Sequence, residues 1–402
     1  MTAHSRMLVA AALVAVAAPG SAAAAPAPPP RVPTAQAAIV VDARDGTVMF
    51  AKRPDAERAI ASTTKLMTAL LSLEEAKPGD VFTAPAYNAM PAESRINLRE
   101  GERMTVHDLL EALLLESAND AAVDLAENIS GSRQAFVGEM NDRAAELGLD
   151  HTHYANPIGL DDPGNYSSAR DLATLARTLL RNARFARIVD MPEATLESGA
   201  RPRVVENRND LVAAYPWVSG VKTGYTLNAG NVLVGAAERG PRAGVVSVVL
   251  GEPTEAARDA DTLTLLRWGL RRFSRVKVLD ERRALARSDI QYRDEQARLV
   301  PRRAVVLTVR DGQRLRRRVK APDELEGPLE AGKRVGSVTV VVDGRPVRRV
   351  ALVTATDVPG AGTVRVVLSV LGVPLTLLIV LAILIAAVLT LLRLRIRIRI
   401  AK

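Results

Sequence analysis

The chain has 402 residues, more than one typical domain, so two domains with accessory segments are expected. Apolar residues make up 48% and aromatics 3%, which leaves Ala, Val and Leu to fill the core. The net charge of +9 comes without an aromatic-interleaved basic patch and gives no support to a nucleic-acid partner, while the lack of cysteine excludes disulfides, thiol catalysis and Cys-ligated metal.

Arg6 precedes an apolar run at 7–18, followed by Pro19-Gly20 and small residues at 21–25. Basic, apolar, small is the order of a secretory signal peptide, here residues 1–25, cut near 23–25. An uncleaved anchor is the alternative, and the apolar run is short for it. The proline-rich residues 26–36 then read as a linker. Residues 37–41 and 47–51 are strand-like, with Asp45-Gly46 as the turn between them.

Ser62-Thr63-Thr64-Lys65 opens a helical pattern, with Leu66, Met67, Leu70 and Leu73 on one face and Gly79 beyond its end. Residues three apart on a helix are neighbours, so Ser62 and Lys65 can touch. A neutral lysine there can take the serine proton, and the unpaired N–H groups of a helix start favour negative charge nearby. The pair alone decides nothing. Ser-x-x-Lys arises roughly once by chance at this length, and a second copy runs from Ser274 to Lys277.

Thr105 to Asp108 has capping-box character, and Leu109, Leu110, Leu113 and Leu114 continue a helix. The pattern breaks at Ser117-Ala118-Asn119-Asp120 before a second apolar run at 121–129. This polar group sits at a helix-to-helix junction, where it can face a cleft; an ordinary N-cap is the alternative. Residues 132–147 form another helix, closed by Gly148. A long loop follows, holding Asn156-Pro157-Ile158-Gly159-Leu160, and Ser168 with Asp171 caps a helix to about 180. From 218 the period becomes that of strands, giving three antiparallel strands through 218–226, 232–236 and 243–250, then a helix at 255–273.

Residues 275–289 are charged and linker-like. Strand patterns at 304–309, 335–342 and 347–353, with a turn at Asp343-Gly344, define a small β domain over 290–358. Residues 366–392 are 27 positions without a charge, followed by Arg393, Arg395, Arg397, Arg399 and Lys402. About 20 apolar residues span a bilayer, and positive flanks stay cytoplasmic. One transmembrane helix at 366–392 is therefore expected, with 393–402 as a basic cytoplasmic tail and the body of the chain outside the cell membrane.

Ser62-x-x-Lys65, Ser117-x-Asn119 and Lys222-Thr223-Gly224 stand in the order known from penicillin-binding proteins and class A β-lactamases. With the blocks at 61–67, 116–122, 156–160, 219–226 and 245–250, the chain resembles the serine-type D-Ala-D-Ala carboxypeptidases, the low-molecular-mass penicillin-binding proteins. The likeness covers 37–273, with a weaker one over 325–357. It implies a mixed α/β (α+β) penicillin-recognising serine-transferase fold over 37–274, its antiparallel sheet flanked by helices, plus the small C-terminal β domain. It also implies removal of the terminal D-Ala from peptidoglycan stem pentapeptides through an acyl-enzyme on Ser62, with β-lactams as covalent inhibitors and no metal or other cofactor.

In that reading Lys65 is the base. Free lysine has a pKa of about 10.4, which burial and a second cation, Lys222, would lower. Ser117 relays the proton to the leaving amine, and Asn119 holds the substrate amide and orients Lys65. The backbone N–H groups of Ser62 and Tyr225 form the oxyanion hole, the latter beside Gly224. Lys222 and Thr223 bind the substrate carboxylate. Arg258 assists there, or is simply a charged residue on a helix surface. The family often carries His or a smaller residue where this chain has Tyr225, so the cleft shape is expected to differ. A β-lactamase would need a deacylating glutamate, and the loop 156–165 offers only Asp161 and Asp162. A non-catalytic wall-binding scaffold would not need Ser62, Lys65, Ser117, Asn119 and Lys222 together.

Overall fold

The computed structural model describes residues 28–240 and 243–400. The expected signal peptide lies outside them. The chain divides into two compact units, Ala24–Ser274 and one containing Arg275–Lys402.

The first unit is built on a five-stranded antiparallel sheet. Its strands are β1 (Ala37–Asp42), β2 (Val48–Lys52), β3 (Val218–Thr226), β4 (Gly230–Glu238) and β5 (Gly244–Glu252), in the order β2-β1-β5-β4-β3. Central β5 is buried along its whole length. Its period of two divides it between two cores. Val246, Val248 and Leu250 join one, and Val245 and Val249 join the other with Leu265 and Leu266 of the C-terminal helix. A strand covered on both faces reads as a continuous apolar run, as here. Each such side chain contributes about 1.5–3 kcal/mol by leaving water.

Helices α1 (Lys65–Glu75), α2 (Asn119–Ser130), α3 (Ala169–Leu179) and α4 (Glu255–Leu270) complete the frame of this unit. The last two carry side-chain caps: Ser168 Oγ accepts from Asp171 N at 3.1 Å, and Thr254 Oγ1 accepts from Ala257 N at 3.1 Å. α3 packs on β5 and β1, and α4 packs on β5, β4 and β1. The last strand in the order, β3, is left as a sheet edge.

The second unit holds a six-stranded sheet in the order 315–320, 334–342, 345–354, 296–301, 286–290, 324–325. A separate pair joins Phe273–Leu279 to Val305–Arg310. Residues 275–289, expected as a linker, are therefore largely strand. In Ala286–Ile290 the charged Arg287 and Asp289 face solvent while Ser288 and Ile290 are buried, and the Ser288 hydroxyl donates to the Pro322 carbonyl at 2.6 Å. Charge on alternate positions concealed the period.

The segment expected to span a membrane forms helices Thr363–Leu371 and Val373–Ile400. Among the described residues no helix is long and apolar enough to cross a membrane. The expected span at 366–392 is not carried by the described helices.

Candidate active site

Ser62 does not begin an α-helix, as its spacing predicts. Ala61–Thr64 is a 3-10 turn, and α1 starts at Lys65. Ala61 takes φ +46°, a left-handed conformation that costs a residue with a Cβ, so the turn depends on what packs against it. Two glycines make that packing possible. A Cβ on Gly159 would lie 2.1 Å from the Ala61 carbonyl oxygen. A Cβ on Gly224 would lie 2.8 Å from Ser62 N and 3.0 Å from Ala61 Cβ. The glycine of Lys222-Thr223-Gly224 thus lets β3 run against the backbone of the serine.

Lys65 is fully buried, with Nζ 3.1 Å from Ser62 Oγ. Nζ also donates to the Ile158 carbonyl at 2.6 Å, which gives the loop at 156–160 its place in the site. Burial, and next the Lys222 charge, hold the Lys65 pKa well below that of an ordinary lysine, while Glu93 and Asp120 pull it upward. A neutral amine in this position spends an N–H on Ile158 and keeps a lone pair for the Ser62 proton.

Lys222 of β3 is also buried, and its Nζ donates to the Thr223 carbonyl at 3.1 Å. Its pKa is pushed down to about 7, first by burial and then by the Arg208 charge, with Arg258 adding and Glu116 opposing. Arg208 is itself paired with Glu116. Thr223 is buried, whereas the Tyr225 side chain is 59% exposed. Arg258 is buried and donates within its own helix, from Nε to Asp259 Oδ1 at 2.9 Å. Its charge bears on Lys222, so Lys222, Arg208 and Arg258 form a positive pole suited to a carboxylate.

Ser117 and Asn119 stand where the sequence breaks. The turn Ala112–Glu116 is of the wider π type and ends on Ser117 at φ +65°. Asn119 opens α2, but its amide does not engage Lys65 as expected; Nδ2 donates to Glu93 Oε2 at 2.6 Å. Glu93 is one of the residues that no motif announces, and it also accepts from the Tyr87 hydroxyl and from Met90 N. Arg208 was likewise hidden. Glu116 and Ile158 fall in the blocks at 116–122 and 156–160, but nothing in the sequence assigned them a role.

Asp161 accepts from Thr226 Oγ1 at 2.6 Å and Asn228 N at 3.2 Å, and Asp162 accepts from Gly164 N at 2.7 Å. Both are occupied in holding turns. His107, Asp108 and Glu111 are grouped closely enough to hold a cation, but Asp108 Oδ2 already accepts from Ser198 N and Oγ, and the group shares no residue with the serine site.

A family model for D-alanyl-D-alanine carboxypeptidases matches residues 22–254, and one for the C-terminal domain of penicillin-binding protein 5 matches 273–360. The chain belongs to the D-alanyl-D-alanine carboxypeptidase family. It is a serine-type carboxypeptidase among the low-molecular-mass penicillin-binding proteins. It is 30% identical over 338 residues to the D-alanyl-D-alanine carboxypeptidase DacF of Bacillus subtilis, covering 82% of this chain and 87% of that one. Among solved structures it resembles penicillin-binding protein 5 of Haemophilus influenzae, with 30% identity, a TM-score of 0.59 and coverage of 83% and 99%. A Streptomyces DD-transpeptidase matches at 30% identity and a TM-score of 0.57, over 61% of this chain and 99% of that one.

Proposed function

We propose that this carboxypeptidase removes the terminal D-Ala of peptidoglycan stem pentapeptides through an acyl-enzyme on Ser62. The observation that carries the reading is the buried Lys65 amine 3.1 Å from Ser62 Oγ, its pKa held low by burial and by Lys222. Neutral Lys65 takes the hydroxyl proton as Ser62 Oγ attacks the carbonyl between the two D-Ala residues. The backbone N–H groups of Ser62 and Tyr225 receive the developing oxyanion. Ser117 returns a proton to the departing amine, free D-Ala leaves, and water then cleaves the ester. Lys222 and Thr223 hold the substrate's terminal carboxylate, with Arg208 and Arg258 keeping that pole positive. Asn119 and Gly224 align the peptide and the strand edge. β-Lactams present the same carboxylate and a reactive amide, and stop at the acyl stage.

The two lysines set the pH dependence. Lys65 must be neutral, so activity is lost at low pH as it gains a proton. Lys222 must be charged, and its own pKa lies at about 7, so binding weakens as pH rises. Release of D-Ala from a pentapeptide ending in D-Ala-D-Ala should therefore follow a bell-shaped kcat/KM profile, with the limits belonging to the coupled site. A profile that is flat on both sides of neutrality would overturn the assignment of these two roles.

We also propose that the body works outside the cell membrane, tethered by 366–392. Three features support this: the 27-residue uncharged run, the five basic residues after it, and the apolar side chains left exposed along the last helix, such as Leu377 and Ile383. A tag placed after Lys402 should resist protease added to intact cells, and a tag digested from outside would contradict this topology.

A further inference from the structure

Glu93 lies in the long irregular stretch between the first and second motifs, yet it is built into the site. Its Oε2 accepts from Asn119 Nδ2 at 2.6 Å and from the Tyr87 hydroxyl, while Oε1 accepts from Met90 N at 2.8 Å. The surrounding loop is clamped to the start of α2 by further bonds. Asn119 N donates to Ser94 O at 2.8 Å, and Asp120 accepts from Ile96 N at 3.1 Å and Leu98 N at 2.9 Å. Four groups of the loop, on Glu93, Ser94, Ile96 and Leu98, are thus matched to Asn119 and Asp120.

We propose that Glu93 is a positioning residue of the carboxypeptidase, fixing which face of the Asn119 amide meets the substrate. This follows from hydrogen-bond chemistry. An ionised carboxylate only accepts, so the Asn119 amide must turn its nitrogen toward Glu93. Oδ1 is then the limb left to accept from a peptide N–H in the cleft. Without Glu93 the amide has no reason to prefer that orientation over its flip. Tyr87 and Met90 N engage both carboxylate oxygens, so Glu93 itself is held still.

The inference rests on Ser62 and Lys65 being the reacting pair. Two variants of the full chain test it. Glu93→Gln keeps an acceptor for Asn119, and Glu93→Ala keeps none. For the pentapeptide, Glu93→Ala should raise KM about tenfold, since a hydrogen bond to a charged group is lost; Glu93→Gln should recover most of that rise. A role in folding alone would lower thermal stability in both variants and leave KM of the folded enzyme where it was. A wild-type KM in Glu93→Ala, or no recovery in Glu93→Gln, overturns the proposal. Ser62→Ala, run alongside, tests the underlying reading separately: residual turnover there sinks the Ser62 assignment, whereas a dead Ser62→Ala beside an unchanged Glu93→Ala sinks only the role of Glu93.

Discussion

Lys65→Arg should lower the acylation rate at least about a hundredfold, within the range for loss of a general base. Arginine keeps a cation but stays protonated, so it cannot take the Ser62 proton near neutral pH. Space adds to the effect. Lys65 Nζ is enclosed between Ser62 Oγ and the Ile158 carbonyl in a fully buried position, where a guanidinium has no room to lie without moving one of them. Lys65→Met separates chemistry from folding. It preserves the length of the stem and removes an amine that burial disfavours in its charged form, so its thermal midpoint should not fall while its acylation falls as far as that of Lys65→Arg. Stopped-flow acylation by penicillin, with melting curves of both variants, checks this. Near-wild-type acylation by either variant would place the base elsewhere.

The second large effect belongs to a residue with no functional group. Gly224→Ala should also cost about a hundredfold in acylation, the loss expected when reacting groups are misplaced by the order of 1 Å. The new Cβ would stand 2.8 Å from Ser62 N, 2.9 Å from Val232 Cγ2 and 3.0 Å from Ala61 Cβ. Two of these three neighbours belong to the serine turn. That turn cannot yield freely, because Ala61 is already at φ +46° and is pressed by Gly159. The relief available is to push β3 and the serine turn apart, which separates Lys222 and the Tyr225 backbone from Ser62. Because β3 is an edge strand, most of the fold should survive, so circular dichroism should be close to wild type. Acylation within threefold of wild type would show that the close approach has no role in the chemistry.

Much of this site is legible in the sequence because its parts are local. Ser62 and Lys65 are three residues apart, Ser117 and Asn119 two, and Lys222 to Tyr225 are contiguous, so each set survives as a pattern whatever the tertiary fold. The cap at Ser168 and the strand run of β5 were readable for the same reason. What escaped are groups brought in by distant, irregular chain. Glu93 reaches Asn119 across 26 residues, and Ile158 O reaches Lys65 across 93. The strand Leu315–Lys320 escaped because Arg316, Arg318 and Lys320 on its exposed face, with Arg317 inward between Leu315 and Val319, disguise an alternating pattern. The helix expected to open at Ser62 begins instead at Lys65, since a 3-10 turn and an α-helix start share the same short-range spacing.

The central claim is that one serine carries the acyl group, and the most direct test is to find that group. The full chain, incubated with penicillin and analysed by intact mass and peptide mapping, should carry a single adduct on Ser62. Ser62→Ala, folded to the same thermal midpoint, should carry none and release no D-Ala from the pentapeptide. An adduct that persists in Ser62→Ala, or that maps to the second Ser-x-x-Lys copy at Ser274, would contradict it.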